Sequence, residues 1–399
     1  MKGVLLLVIY LAFISLGLPD SVTGSAWPVI HTELGISVSS AGLITMTIAS
    51  GTIVSAFFSQ RIIRRIGTAR VTAVSIFMTA ASLLGYSFSP SLFWILLSAI
   101  PLGLGAGCVD SALNHYVALH YSAGEMGYLH CFWGIGTLLS PLLLSYLFSK
   151  GISWRPAFRM NASLQLAIML VVVLASPLFE RNELSDGKKQ TAEESDRVYT
   201  LFQILKVKGA LHSLLAFTAY CGFESTTFLW IASFAVYFRG FSPSAAALMT
   251  SMVYLGLTLG RLLTGFFSNR TSDRSILRLC HAVSLLAIIS LFLQEREITA
   301  LVSVFFLGLG FGPIFPTMLH QSVNYYDSCY SQAMISFQMV FAYIGSTFMP
   351  PLFGLLSRRL SLGFFPTFIL ALFIFHALQI SLKNRCAGDR AFISNRESI

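Results

Sequence analysis

Apolar runs of about twenty residues recur from the start of this chain to position 382, and the short segments between them hold most of its charge. No other feature restricts the fold as strongly. A run of that length matches the hydrocarbon core of a bilayer, where a spanning segment must satisfy all its own backbone hydrogen bonds. Twelve such spans are read, at 4–30, 40–60, 70–88, 91–118, 128–148, 156–178, 209–238, 245–267, 276–293, 298–321, 330–356 and 363–382. Composition agrees: 55% of the 399 residues are hydrophobic and 11% charged, where soluble domains carry about 25% charged residues. Lys2, the first apolar run and "GSA" at 24–26 imitate a cleavable leader. The apolar pattern restarts at once, so residues 1–30 are read as the first span.

The segment "ERNELSDGKKQTAEESDRVYTLFQILKVKG", from position 180, is charged and turn-rich and divides the spans six and six. The expected organisation is a six-helix unit at 1–179, a cytoplasmic linker at 180–208, and a second six-helix unit with a short cytoplasmic tail at 209–399. With both termini inside, nineteen of the 26 lysines and arginines fall on the cytoplasmic side. That is the bias expected of a multi-pass protein of the cell membrane, and it also accounts for the net charge of +9. The halves resemble each other. "LGLGAGCVDSALNH" at 102–115 lies over "LGLGFGPIFPTMLH" at 307–320, an offset of 205 that pairs Gly103 with Gly308 and Gly107 with Gly312. "FWGIGTLLSP" at 132–141 lies over "FAYIGSTFMP" at 341–350. The fold class read from these features is all-α and polytopic, twelve transmembrane helices in two pseudo-symmetric six-helix bundles. Duplicated bundles that rock about a midplane site are the architecture of secondary transporters.

Three acids lie at depth. Asp20, in "GLPDSVTGSAW", shares a helix face with Thr23, Gly24 and Trp27. Asp110 shares a face of span four with Asn114, and Gly103 and Gly107 continue it, small enough for a neighbouring helix or a ligand to approach closely. Glu224 lies mid-way along span seven, with Tyr220, Thr227 and Phe228 on its face. Three such acids would together cost about 8–10 kcal/mol in lipid. A shared wet cavity would remove most of that cost, and a carboxylate that gains and loses a proton there is what a proton-coupled carrier needs. His130 at the start of span five is a further candidate for coupling or binding. Trp133, Trp27, Thr23, Tyr220, Thr227 and Gln338 are candidates for lining the site. Arg61, Arg64 and Arg65, in the basic loop after span two, are read as topology signals with a gating role. Arg261, in "GRLLTG" at the inner end of span eight, is read as a packing lock, with Gly103, Gly107, Gly308 and Gly312 as structural glycines. The sequence suggests no cation beside the acids of spans one and four.

At these residues the chain resembles the major facilitator superfamily, and within it the fucose:proton symporter-like branch. The resemblance covers the full length. Gly107, Asp110 and Asn114 match the branch's pattern in the fourth helix, where characterised sugar carriers usually have glutamate at the position of Asp110. Asp20 matches an aspartate of the first helix. His130 stands where a glutamine is usual, and "YCGFE" matches at Tyr220, Gly222 and Glu224. "FPT" at 315–317 also matches. The loop "FFSQRIIRRIGTAR" lacks the superfamily's usual acid, with Ser59 and Gln60 in its place. The resemblance implies proton-coupled sugar uptake by alternating access, with the acids of the first and fourth helices tied to coupling and recognition.

The expected partners are therefore lipid and a small polar solute, a monosaccharide, with no cofactor beyond the coupling proton; the oligomeric state is not legible, and a monomer is compatible with the sequence. A proton-coupled exporter of drugs or sugars and a sodium-coupled symporter are the competing readings on the same fold. An enzyme or sensor is disfavoured: HExxH and GxSxG are absent, and the acids are spread over three helices. The six cysteines form no CxxC pair and no metal set is expected, while nucleic-acid binding lacks a basic stripe outside the loops.

Overall fold

Polar turns of a few residues separate the apolar runs and hold consecutive helices antiparallel. The turn at Gly67 requires φ of 82°, open to glycine without strain. The computed structural model describes residues 2–121, 123–179, 200–267, 271–293, 296–326 and 328–397. The first half comprises α1 (Lys2–Glu33), α2 (Ser40–Ile66), α3 (Thr68–Phe88), α4 (Leu92–His120), α5 (Ala123–Ser149) and α6 (Arg155–Leu174). The second comprises α7 (Ala210–Tyr237), α8 (Pro243–Phe267), α9 (Asp273–Ser290), α10 in two pieces (Glu297–Phe311 and Ile314–Tyr325), α11 (Ser328–Leu360) and α12 (Phe365–Glu397). Ten of these helices are long and apolar enough to cross a membrane by composition alone. The other two, α7 and α9, are diluted by Glu224 and by Asp273, Arg274 and Arg278.

The duplication is visible atom by atom. A Cβ on Gly51 would meet Leu104 N at 3.0 Å, and one on Gly256 would meet Leu309 N at 2.7 Å. Gly103 faces Ile48 O and Gly308 faces Val253 O, while Gly107 faces Thr52 O and Gly312 faces Leu257 O. Every pair is offset by 205, so the glycines matched in sequence make the same helix contact twice. The four glycines read as structural thus set the close approach of α2 to α4 and of α8 to α10.

The two halves pack through α1 on α7, α2 on α11, and α5 on α8. The joining contacts gather at the end opposite the termini. Tyr237 OH bonds to Pro28 O and, at 2.7 Å, to Thr32 Oγ1. Ser244 Oγ donates to Ser145 O at 2.8 Å, Ser251 Oγ to Leu138 O at 2.9 Å, and Arg358 Nε to Ser37 Oγ at 3.2 Å. Gly24 lets α1 approach Phe228 O, where a Cβ would stand 2.6 Å away. Among the described residues, these contacts close the seam between the halves at that end.

Two expectations change. Span twelve was expected to end at 382 with Lys383 beyond it; the helix continues, and Lys383 is buried with Nζ donating to Gln321 Oε1 at 3.0 Å. Span ten is not one helix but breaks at Gly312 and Pro313, since proline supplies no N–H for the ladder. Positions 180–199 of the charged linker lie outside the described residues. Its end forms the short helix Leu201–Leu205, which packs Ile204 against Tyr326 and Met334.

Candidate functional site

Asp20 is exposed although its helix neighbours, Ser15 to Pro19 and Ser21 to Ala26, are all buried. Its carboxylate therefore opens onto a space within the bundle. Trp133 on α5 donates Nε1–H to Asp20 Oδ2 at 2.8 Å. Asp110 on α4 and Tyr254 on α8 lie within electrostatic range of Asp20. Asn114 donates to Asp110 Oδ1 at 2.8 Å and also to Asp110 O at 2.9 Å, one helical turn away. That bond orients Asp110 without neutralising it. Tyr343 on α11 lies within electrostatic range of Asp110 from the other half.

On the other side of the seam, Tyr220 OH donates to Glu224 Oε1 at 2.6 Å and is anchored at Phe311 O, 2.9 Å away. Arg261 Nη2 stands 3.6 Å from Glu224 Oε1. The same guanidinium lies over the Trp133 ring, with Cζ 5.4 Å from its centroid, a favourable place for a cation. Tyr254 stacks on Phe228 at 4.3 Å and meets Trp133 edge-on at 6.3 Å. The result is a continuous polar chain across the seam: Asp20, Trp133, Arg261, Glu224, Tyr220. It lies one turn on the termini side of the contact between Gly24 and Phe228, just beneath the closed end.

The structure brings Asp20, Asp110, Asn114, Glu224, Tyr220 and Trp133 together, with His130 nearby. His130 is exposed, meets Phe13 edge-on at 5.9 Å, and lies within electrostatic range of Arg261. Several expected lining residues are instead consumed by packing. Trp27 is fully buried and donates Nε1–H to Val38 O at 2.6 Å near the closed end. Thr227 is buried and bonds back to Phe223 O at 2.8 Å. Gln338 is buried and clips Ser213 and Ser322 at 2.8 and 2.7 Å. Thr23 is buried, and its hydroxyl has no hydrogen-bond partner among the described residues. Trp230 is also buried, with its indole N–H held by Pro350 O. Arg61, Arg64 and Arg65 are exposed, far along α2 from this cluster.

Two participants carry no sequence assignment, and a third, Arg261, is read only as a packing lock. Arg261 was assigned to the inner end of α8, but its long side chain reaches back to Glu224. The signal was the face it shares with Tyr254 and Thr258, at i−7 and i−3. Tyr254 itself and Tyr343 carried no signal beyond being aromatic in an apolar run.

A duplicated twelve-helix bundle with ionisable groups meeting at the seam between its halves defines a multi-pass membrane transporter. The chain belongs to the Major Facilitator Superfamily, whose model matches residues 9–350 and again 239–382. It is 21% identical to Bypass of stop codon protein 6 of Saccharomyces cerevisiae over 89% of this chain and 77% of that one. It is 20% identical to the glucose/mannose transporter GlcP of Bacillus subtilis over 78% of this chain and 77% of that one. In fold it is similar to the nucleoside transporter NupG, with a TM-score of 0.73 and 13% identity over 96% of this chain and 98% of that one.

Proposed function

We propose that this protein is a proton symporter that brings a monosaccharide into the cell by alternating access. The two bundles, 1–179 and 209–399, would rock about the seam, with both termini and the linker in the cytoplasm of a cell-membrane protein. The observation that carries this reading is Arg261, shared between Glu224 of its own half and the Trp133–Asp20 pair of the other. A proton on Glu224 removes the charge that holds Arg261, and the guanidinium can then turn toward Asp20 or a solute hydroxyl. Loss of that proton on the cytoplasmic side restores the pair. Carboxylates, an amide, a guanidinium and aromatic faces are the groups that bind polyhydroxylated solutes, and the similarity to a glucose/mannose transporter points the same way. Each proton crossing with the solute draws about 2.3 kcal/mol from 100 mV, roughly a 50-fold concentration ratio.

The test is uptake of labelled monosaccharides into proteoliposomes under an imposed proton gradient, in both polarities and with sodium replaced by choline. Accumulation that follows the proton gradient and ignores choline supports the proposal. Accumulation that needs sodium, or expulsion of solute against an inward proton gradient, overturns it in favour of sodium coupling or efflux.

A further inference from the structure

Far from the acid cluster, the end of α2 on the side of the termini carries a cationic face. Residues 41–58 are uncharged and span about 27 Å as a helix, close to the roughly 30 Å of a hydrocarbon core. The last two turns, Ser59 to Ile66, therefore stand at headgroup depth. Ile62 and Ile63 turn inward and pack against Val71, Cys108 and Ala112, which fixes the rotation of the helix end. The opposite face is exposed along its length. Leu43 and Val54 lie on it within the core, Phe57 and Phe58 at the core's edge, and Arg61 and Arg65 beyond. Phe57 is 76% exposed, and the Arg61 guanidinium lies over the Phe58 ring, with Cζ 5.9 Å from its centroid. Arg64 and, from the first turn of α3, Arg70 are exposed beside them.

None of these four arginines pairs with a carboxylate among the described residues. The sequence itself withholds one, since no aspartate or glutamate lies between Glu33 and Asp110. Glu33 is taken by Arg155 and Trp154 at 2.8 and 2.7 Å, and Asp110 by Asn114. Like charges three and four residues apart on one helix repel, so an anion from outside stabilises this face. Orientation in a membrane requires only positive charge. Here every cation is an arginine, whose planar fork matches phosphate oxygens two at a time. The second half differs: Arg274 and Arg278 follow Asp273 on α9, and Asp273 is itself 2.9 Å from His320 Nδ1.

We propose that Arg61, Arg64, Arg65 and Arg70 bind the headgroup phosphate of an anionic glycerophospholipid, drawn from the leaflet on the side of the termini. The phosphate sits among the guanidiniums, and the acyl chains run along Phe57 and the apolar face of α2. Such a lipid matches both parts of the face at once, where free phosphate would engage the arginines alone. The site is independent of which solute is carried.

The experiment is native mass spectrometry of the full-length protein, titrated with phosphatidylglycerol, phosphatidylcholine and inorganic phosphate. Wild type is expected to bind its first phosphatidylglycerol more tightly than its first phosphatidylcholine. Arg64→Gln combined with Arg65→Gln should weaken that first binding roughly 25-fold, about fivefold for each arginine. Arg64→Lys with Arg65→Lys keeps the charge that orients the chain and should stay within about fivefold of wild type. Arg274→Gln with Arg278→Gln removes the same charge from the same side of the membrane and should leave the binding unchanged. Equal affinity of wild type for the two lipids overturns the proposal, and that comparison stands even where a variant fails to fold. Equal losses in the two glutamine pairs also overturn it, because net charge alone would then explain the binding. Displacement of phosphatidylglycerol by inorganic phosphate at equal concentration overturns it in favour of a site for the free anion.

Discussion

In the amino-terminal half, Gln165 ties α6 to α1, Asn161 donates to Ser140 at 2.6 Å, and the cavity acids Asp20 and Asp110 have hydrogen-bond donors but no ion-pair cation among the described residues. In the carboxyl-terminal half His376 Nδ1 lies 3.0 Å from Ala216 O, Lys383 is buried, and a carboxylate, Glu224, is held beside Arg261. One half thus presents carboxylates open to a proton or a solute. The other holds its carboxylate with an internal cation that also touches the first half through Trp133. A duplication gives two equal frames, and on the proposed reading they must respond differently to one proton. The polar groups, not the backbone, supply that difference.

The largest effect expected is on Arg261. Removing one partner of a half-buried ion pair 3.6 Å apart costs less than the about 3–5 kcal/mol of a fully buried one, so Arg261→Gln should lower thermal stability measurably, and the double variant with Glu224→Gln should recover most of the loss. Equal and additive losses in a double-mutant cycle would mean the pair is not coupled. Next is Glu224→Gln, which on the proposed reading removes the proton-carrying group of the second half. Gradient-driven accumulation should fall from about 50-fold at 100 mV to near unity, with solute exchange retained. Retention of full accumulation would transfer coupling to Asp20 and Asp110 alone.

Trp133→Phe keeps the ring beneath Arg261 and deletes the donor to Asp20. A hydrogen bond to a charged group contributes about 1.5–3 kcal/mol, so initial uptake rates should fall at least roughly tenfold. An unchanged rate would separate Asp20 from the cross-seam chain. The smallest effect should come from Trp27→Phe, which deletes a bond to Val38 O remote from the cavity. Stability should drop by about 1 kcal/mol with the solute KM unchanged, and a raised KM would return Trp27 to the site.

Much of this was legible in the residues. Apolar runs fixed the spans because a bilayer tolerates few alternatives, and the glycine matches at offset 205 located the α2–α4 and α8–α10 contacts. The three acids were conspicuous because lipid penalises them. Less legible was anything that depends on reach or rotation. Arg261 looked peripheral by position, and only the length and direction of its side chain bring it to Glu224. Trp27 shares the face of Asp20 by periodicity, yet it lies two turns nearer the closed end, where α1 meets the turn before α2. Gln338 and Thr227 read as polar lining, but buried hydroxyl and amide groups in a helix bundle bond to backbone or to one another just as readily.

The central claim is that Asp20, Glu224 and Arg261 share one wet chamber open only toward the termini. Thiol accessibility of Asp20→Cys, in a background lacking the native cysteines, tests it most directly in vesicles of known orientation. A membrane-impermeant maleimide should label the cysteine from the side of the termini, and the carried solute should slow that labelling. Labelling from the opposite face alone, or from neither face, would contradict the account.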